Sequence, residues 1–87
     1  MIKENCVVIS TSGKDINQLY ICVKVENNFA YLTNGKSRNL SNLKKKNLKH
    51  IKFICKCENF DFKSVQNCDI ILWLKNFKQT KGDIYSV

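Results

Sequence analysis

At 87 residues the chain has room for one domain with a modest core, which leaves no space for a deep substrate cavity. An apolar fraction of 44%, a charged fraction of 25% and nine aromatic residues argue against a disordered tail. The longest apolar runs, Leu19–Val23 and Ile70–Leu74, are five residues each, far short of the roughly 20 that a membrane-spanning helix needs. The formal net charge of +8 is local. Between Asn27 and Cys57 stand eight basic residues and no Asp or Glu, while the rest of the chain sets seven basic residues against seven acidic ones. A field gathered on one part of a small surface attracts a polyanion, so nucleic acid and anionic lipid are the first partners to weigh. The segment Met1–Ser10 has no signal-peptide pattern, and five cysteines, an odd number, fit reduced thiols; the expected location is the cytoplasm.

In chain order, Cys6–Ile9 is a β-prone run followed by a turn-forming cluster, Ser10 to Asp15, around Gly13. Alternation over Leu19–Glu26 predicts a strand with Leu19, Ile21, Val23 and Val25 on one face and Tyr20, Cys22, Lys24 and Glu26 on the other. Asn27-Asn28 is a two-residue turn, because Asn tolerates the left-handed backbone that hairpins require, and Phe29–Thr33 returns as a third strand. Asn34-Gly35 signals a further hairpin leading into a short fourth strand, Lys36–Leu40. After the lysine run, His50–Cys57 predicts a fifth strand with Ile51, Phe53, Cys55 and Cys57 on one side. The period then changes. Ile70, Trp73, Leu74 and Phe77 lie at i, i+3, i+4, i+7, predicting an amphipathic helix over 67–80 with Asn67 as N-cap, Asp69 at its positive end, and Lys75, Lys78 and Lys81 near its other end before Gly82. Leu72 points away from the stripe.

Five short strands, the Ser-Gly-Lys-Asp loop at 12–15, Asn-Gly-Lys-Ser-Arg at 34–38 and Lys-Lys-Lys-Asn-Leu-Lys-His at 44–50 together resemble the bacterial KOW-domain RNA-binding proteins. These are similar in turn to the KOW-containing large-subunit ribosomal proteins of archaea and eukaryotes. The resemblance spans Cys6 to about Ile51; Ile16 and Asn17 stand where the family has a basic residue and a Gly, and Leu43 where a Pro is common. It implies an SH3-like five-stranded barrel over 1–58, with 59–87 as an extension whose amphipathic helix packs on the barrel. It also implies binding of structured RNA, ribosomal RNA foremost, with ribosomal proteins as further partners and a role in translation.

The candidate RNA-binding residues are Ser12, Gly13, Lys14, Lys36, Arg38, Lys44, Lys45, Lys46, Lys49 and His50. Lysines meet phosphate as point charges, arginine as a planar fork, and backbone donors of the polar turn reach the same oxygens. Consecutive lysines diverge on a strand, which suits a phosphate ridge better than a flat bilayer, so membrane is not an expected partner. Tyr20 and Tyr31 are candidates for base stacking if their rings lie outside the barrel.

His50, Cys55, Cys57 and Cys68 are residue types that ligate zinc, but Cys-x-Cys is not the usual structural knuckle, and buried thiols are the expectation rather than a metal site. One His and seven scattered acids assemble no nucleophilic or acid/base site, so the reading is non-catalytic, without cofactor or small-molecule substrate. The competing reading is a protein-interaction adaptor that uses the Trp73 helix or a barrel edge, with the lysines serving solubility.

Overall fold

The computed structural model describes the backbone of residues 1–85 and the side chains of residues 1–80. Five strands, β1 (Cys6–Ser10), β2 (Leu19–Glu26), β3 (Phe29–Thr33), β4 (Lys44–Asn47) and β5 (Ile51–Lys56), precede one helix, α1 (Asn67–Tyr85). They form a single open antiparallel sheet in the order β4-β3-β2-β1-β5. No helix among the described residues is long and apolar enough to cross a membrane.

The sheet must curl. Its edge strands β4 and β5 are separated by four strand spacings, about 19 Å in a flat sheet. Only the 3-10 turn Leu48–His50 joins them, and four Cα steps reach at most about 15 Å. The turn is held in place at both ends: the Leu48 N–H donates to the Asn28 carbonyl and the Thr11 N–H to the His50 carbonyl, both at 2.9 Å.

Curling gives the sheet two cores. Inside the curl lie Cys6, Val8, Tyr20, Cys22, Ala30, Leu32 and Ile51; on the outer face Val7, Leu19 and Ile21 receive Phe60 and the helix residues Ile70, Leu74 and Phe77. The stripe expected of α1 is therefore its packing face, with Trp73 partly buried between Phe60 and Phe77. Complete burial of side chains such as Ile70 contributes about 1.5–3 kcal/mol each, as an upper estimate.

Simple alternation fails at two bulges. In β2 the register shifts between Cys22 and Lys24, so Val23 is the extra residue, and Val25 packs with Tyr20 and Cys22 instead of with Leu19 and Ile21. In β5 the shift makes Ile54 the extra residue; Ile54, Cys55 and Cys57 pack against the outer-face core, while Phe53 is left 37% exposed.

The fourth strand is not Lys36–Leu40 but the lysine run itself, Lys44–Asn47, paired with β3. Asn34 explains the difference. Its side-chain Oδ1 accepts from the backbone N–H groups of Lys36 (2.9 Å) and Arg38 (3.0 Å), capturing donors that a strand ladder would need. Gly35, at φ +78, presses against α1 so closely that a Cβ there would lie 2.7 Å from the Asn67 carbonyl oxygen and from Ile71.

Two details of the helix also differ from expectation. Asn67 is already helical and its side chain accepts from the Leu40 N–H (2.8 Å), whereas the reciprocal cap is formed by Gln66, whose N–H donates to the Asp69 carboxylate (3.0 Å). The helix continues through Gly82 to Tyr85, because a glycine outside a capping motif weakens a helix by about 1 kcal/mol without ending it. Lys75 and Lys78 are exposed; the side chain of Lys81 lies outside the described residues.

Candidate nucleic-acid interface

The loop between β1 and β2 is built around a polar lock. Asp15 accepts from the Ser10 hydroxyl (2.9 Å) and the Tyr20 hydroxyl (2.8 Å) and pairs with Lys46 Nζ at 2.5 Å; Lys46 also donates to the Ser12 carbonyl (2.8 Å). The two side chains of the pair are only 9% (Lys46) and 15% (Asp15) exposed. Burial alone would push the Asp15 carboxyl up, but the hydrogen bonds from Lys46, Tyr20 and Ser10, with the Lys46 charge, outweigh it and hold the group at about 2. The Tyr20 hydroxyl is pushed upward by burial and by the adjacent carboxylate.

Lys46 is therefore not a free cation, and Tyr20, 3% exposed, is not a stacking platform. Both are withdrawn from the interface by the same carboxylate. Asp15 lies 31 positions from Lys46 in the chain, and it selects the middle lysine of the run because strand alternation turns Lys46 inward.

The other sequence-derived residues fall into three places. Ser12, Gly13 (φ +86) and exposed Lys14 form the tip of the locked loop, and the backbone of His50 is bonded to its base. Half-buried Arg38 closes the Asn34–Arg38 loop, its carbonyl accepting from the Asn34 N–H (2.9 Å) and the Thr33 hydroxyl (2.8 Å). Lys44 pairs opposite Leu32 and so shares the sheet face of Lys46, while exposed Lys49 sits on the 3-10 turn beside His50. These residues form one cationic pole. Asn17 at the far side of the loop has φ 71, a backbone conformation natural to Gly and tolerated by Asn, and its neighbour Ile16 is 51% exposed.

Lys45 points the other way. It pairs opposite Tyr31, and Tyr31 pairs opposite Lys24, so the three share the outer sheet face, together with Phe29 two residues along. Lys45 Nζ lies 4.5 Å from the Phe29 ring centroid and Lys24 Nζ 4.8 Å from that of Tyr31, and both rings are half-buried. Lys24 and Phe29 were not singled out from the sequence. Their signal, an aromatic at every second position of Phe29-Ala-Tyr31, is legible only once the uncovered face is known.

Lys36 leaves the pole altogether: the folded Asn34–Arg38 loop carries it to the helix, beside Lys75 and Lys78. Cys6 and Cys22 are buried inside the curl, Cys55 and Cys57 pack against the outer-face core and Cys68 is exposed, and burial pushes the Cys57 thiol up to about 12. Among the described residues no three His, Cys, Asp or Glu side chains are grouped to hold a metal ion.

Comparison with known proteins yields no matching family model and no matching curated protein.

Proposed function

We propose that the protein is a non-catalytic RNA-binding module of the SH3-like, KOW type, which holds phosphates of structured RNA, ribosomal RNA foremost, in the cytoplasm. The observation that carries the proposal is that Lys46–Asp15 is the only ion pair among the described residues, so exposed Lys14, Lys45 and Lys49 and half-buried Arg38 and Lys44 have no described carboxylate against them. The curled five-stranded sheet and the Gly-like backbone of Asn17 agree with the family resemblance in the loop, although exposed Ile16 removes one basic contact from it.

Contacts of this kind position RNA without reading its sequence. Charge reversal at Lys44, Lys45 and Lys49 should abolish retention of RNA while leaving the circular dichroism spectrum unchanged, and should weaken unrelated RNA sequences by similar factors. Selective loss on one sequence would contradict the phosphate model. A helix-borne adaptor is the weaker reading, because Ile70, Leu74 and Phe77 are buried against the protein's own sheet and Trp73 stacks on Phe77.

A further inference from the structure

The loop Asn34–Arg38 and the helix α1 enclose a groove of about 560 Å³, lined by none of Lys14, Lys44, Lys45 and Lys49. Lys36 projects from the loop side, and Lys75 and Lys78 from the helix side; Gln18 and Gln79 stand at its margins and Ile71 forms part of its floor. No carboxylate among the described residues lines it. Three exposed lysines from two separate elements thus line one concave surface.

The convergence is built into the fold. Gly35 touches the helix backbone at Asn67 and the Ile71 side chain with no room for a Cβ, and Asn67 accepts from the Leu40 N–H, so the loop is fastened to α1 on both sides of Lys36. The positions 71, 75 and 78 recur at i, i+4, i+7, which places them on one helix face next to that loop.

We propose that this groove is a second RNA-binding segment, in which Lys36, Lys75 and Lys78 hold the backbone phosphates of a short single-stranded stretch while Ile71 and the Gln18 and Gln79 amides contact a base. A single strand is favoured because its bases can be splayed out, so that one base turns toward the concave surface while the backbone meets Lys36, Lys75 and Lys78. Ammonium groups over an apolar floor flanked by amides match a nucleotide, which carries charge, a flat apolar face and polar edges in one unit.

This inference rests on the RNA-binding reading, and the experiment separates the two. Affinity for a short oligouridylate and its salt dependence are measured for the wild-type protein, for K36E/K75E/K78E, for the lysine-run variant K44E/K45E/K49E, and for K3E/K52E/K56E as a control of equal charge change. All the substituted lysines but half-buried Lys44 are exposed, and thermal melts verify that each variant is folded. The groove variant is expected to bind at least tenfold more weakly than the control, with the slope of log affinity against log salt reduced by about 2, the value for three lost phosphate contacts on single-stranded RNA. The neutral variant K36Q/K75Q/K78Q should show the same reduced slope with a smaller loss of affinity. Equal effects of the groove and control variants would reduce the groove to a share of the overall field and overturn this proposal alone. Failure of the wild-type protein to retain the RNA at low salt would overturn the function together with it.

Discussion

Replacing Lys46 by Met separates a structural lysine from its neighbours in the same run. The substitution keeps the apolar stem and removes the charge, leaving the Asp15 carboxylate, 15% exposed, with only the Ser10 and Tyr20 hydroxyls. The fall of the Asp15 carboxyl from 3.8 to about 2 corresponds to about 2 kcal/mol shared among Lys46, Tyr20 and Ser10 after the burial penalty is overcome. Removing one partner of a fully buried pair costs about 3–5 kcal/mol, so for this slightly exposed pair the expected loss is about 2–3 kcal/mol, or a melting temperature lower by roughly 8–24 °C for a domain of this size. Because the folded-state carboxyl is depressed, its contribution is complete above the unfolded value of 3.8 and disappears as pH falls through about 2. Urea unfolding at pH 7 and at pH 2 should therefore show a K46M deficit that is large at the first and small at the second. RNA affinity of the folded variant should fall far less than that of K44E/K45E/K49E. Wild-type stability of K46M at pH 7 together with an RNA-binding loss would refute the lock and return Lys46 to the interface.

Three further outcomes follow from the packing and the exposed face. Gly35→Ala should destabilise the protein by about 2 kcal/mol or more in thermal melts, because φ +78 disfavours a side chain and the new Cβ would meet the Asn67 carbonyl and Ile71 at 2.7 Å; an unchanged melt would mean that the loop is not fastened to α1. Phe29→Ala and Tyr31→Ala should each weaken single-stranded RNA binding by about 1–3 kcal/mol if bases displace the lysines now over those rings, and unaltered affinity would remove the aromatic face from the interface. Iodoacetamide at mild alkaline pH should modify exposed Cys68 first, with Cys6 and Cys22 protected until unfolding; peptide mass spectrometry showing early labelling of Cys22 would contradict the inner core.

Local pattern made much of this structure legible. The runs Cys6–Ile9, Leu19–Glu26, Phe29–Thr33 and His50–Cys57 carry β-prone or alternating residues, and the stripe Ile70, Trp73, Leu74, Phe77 has the helical period, so four strands and the packed helix could be read directly. What could not be read depends on distant or single-residue events. The bulges at Val23 and Ile54 exchange faces halfway along a strand, which no alternation rule anticipates. Asn34 defeats the hairpin signal of Asn34-Gly35 by binding two backbone N–H groups of the segment that would have been the strand. The basic tract was visible as charge, but its division was not: Lys46 goes to Asp15, Lys45 to the Phe29 face and Lys36 to α1, each set by a partner elsewhere in the chain.

The claim that unpaired cations bind RNA phosphates is tested most directly by titrating the wild-type protein with RNA at a series of salt concentrations. Five contacts, four from Lys14, Arg38, Lys44 and Lys49 and a fifth from Lys45 on the outer sheet face, give a slope of log affinity against log salt of roughly −3.5 to −4.5, steeper still where the groove takes part. A slope near zero, or binding that survives unchanged at high salt, would contradict the account.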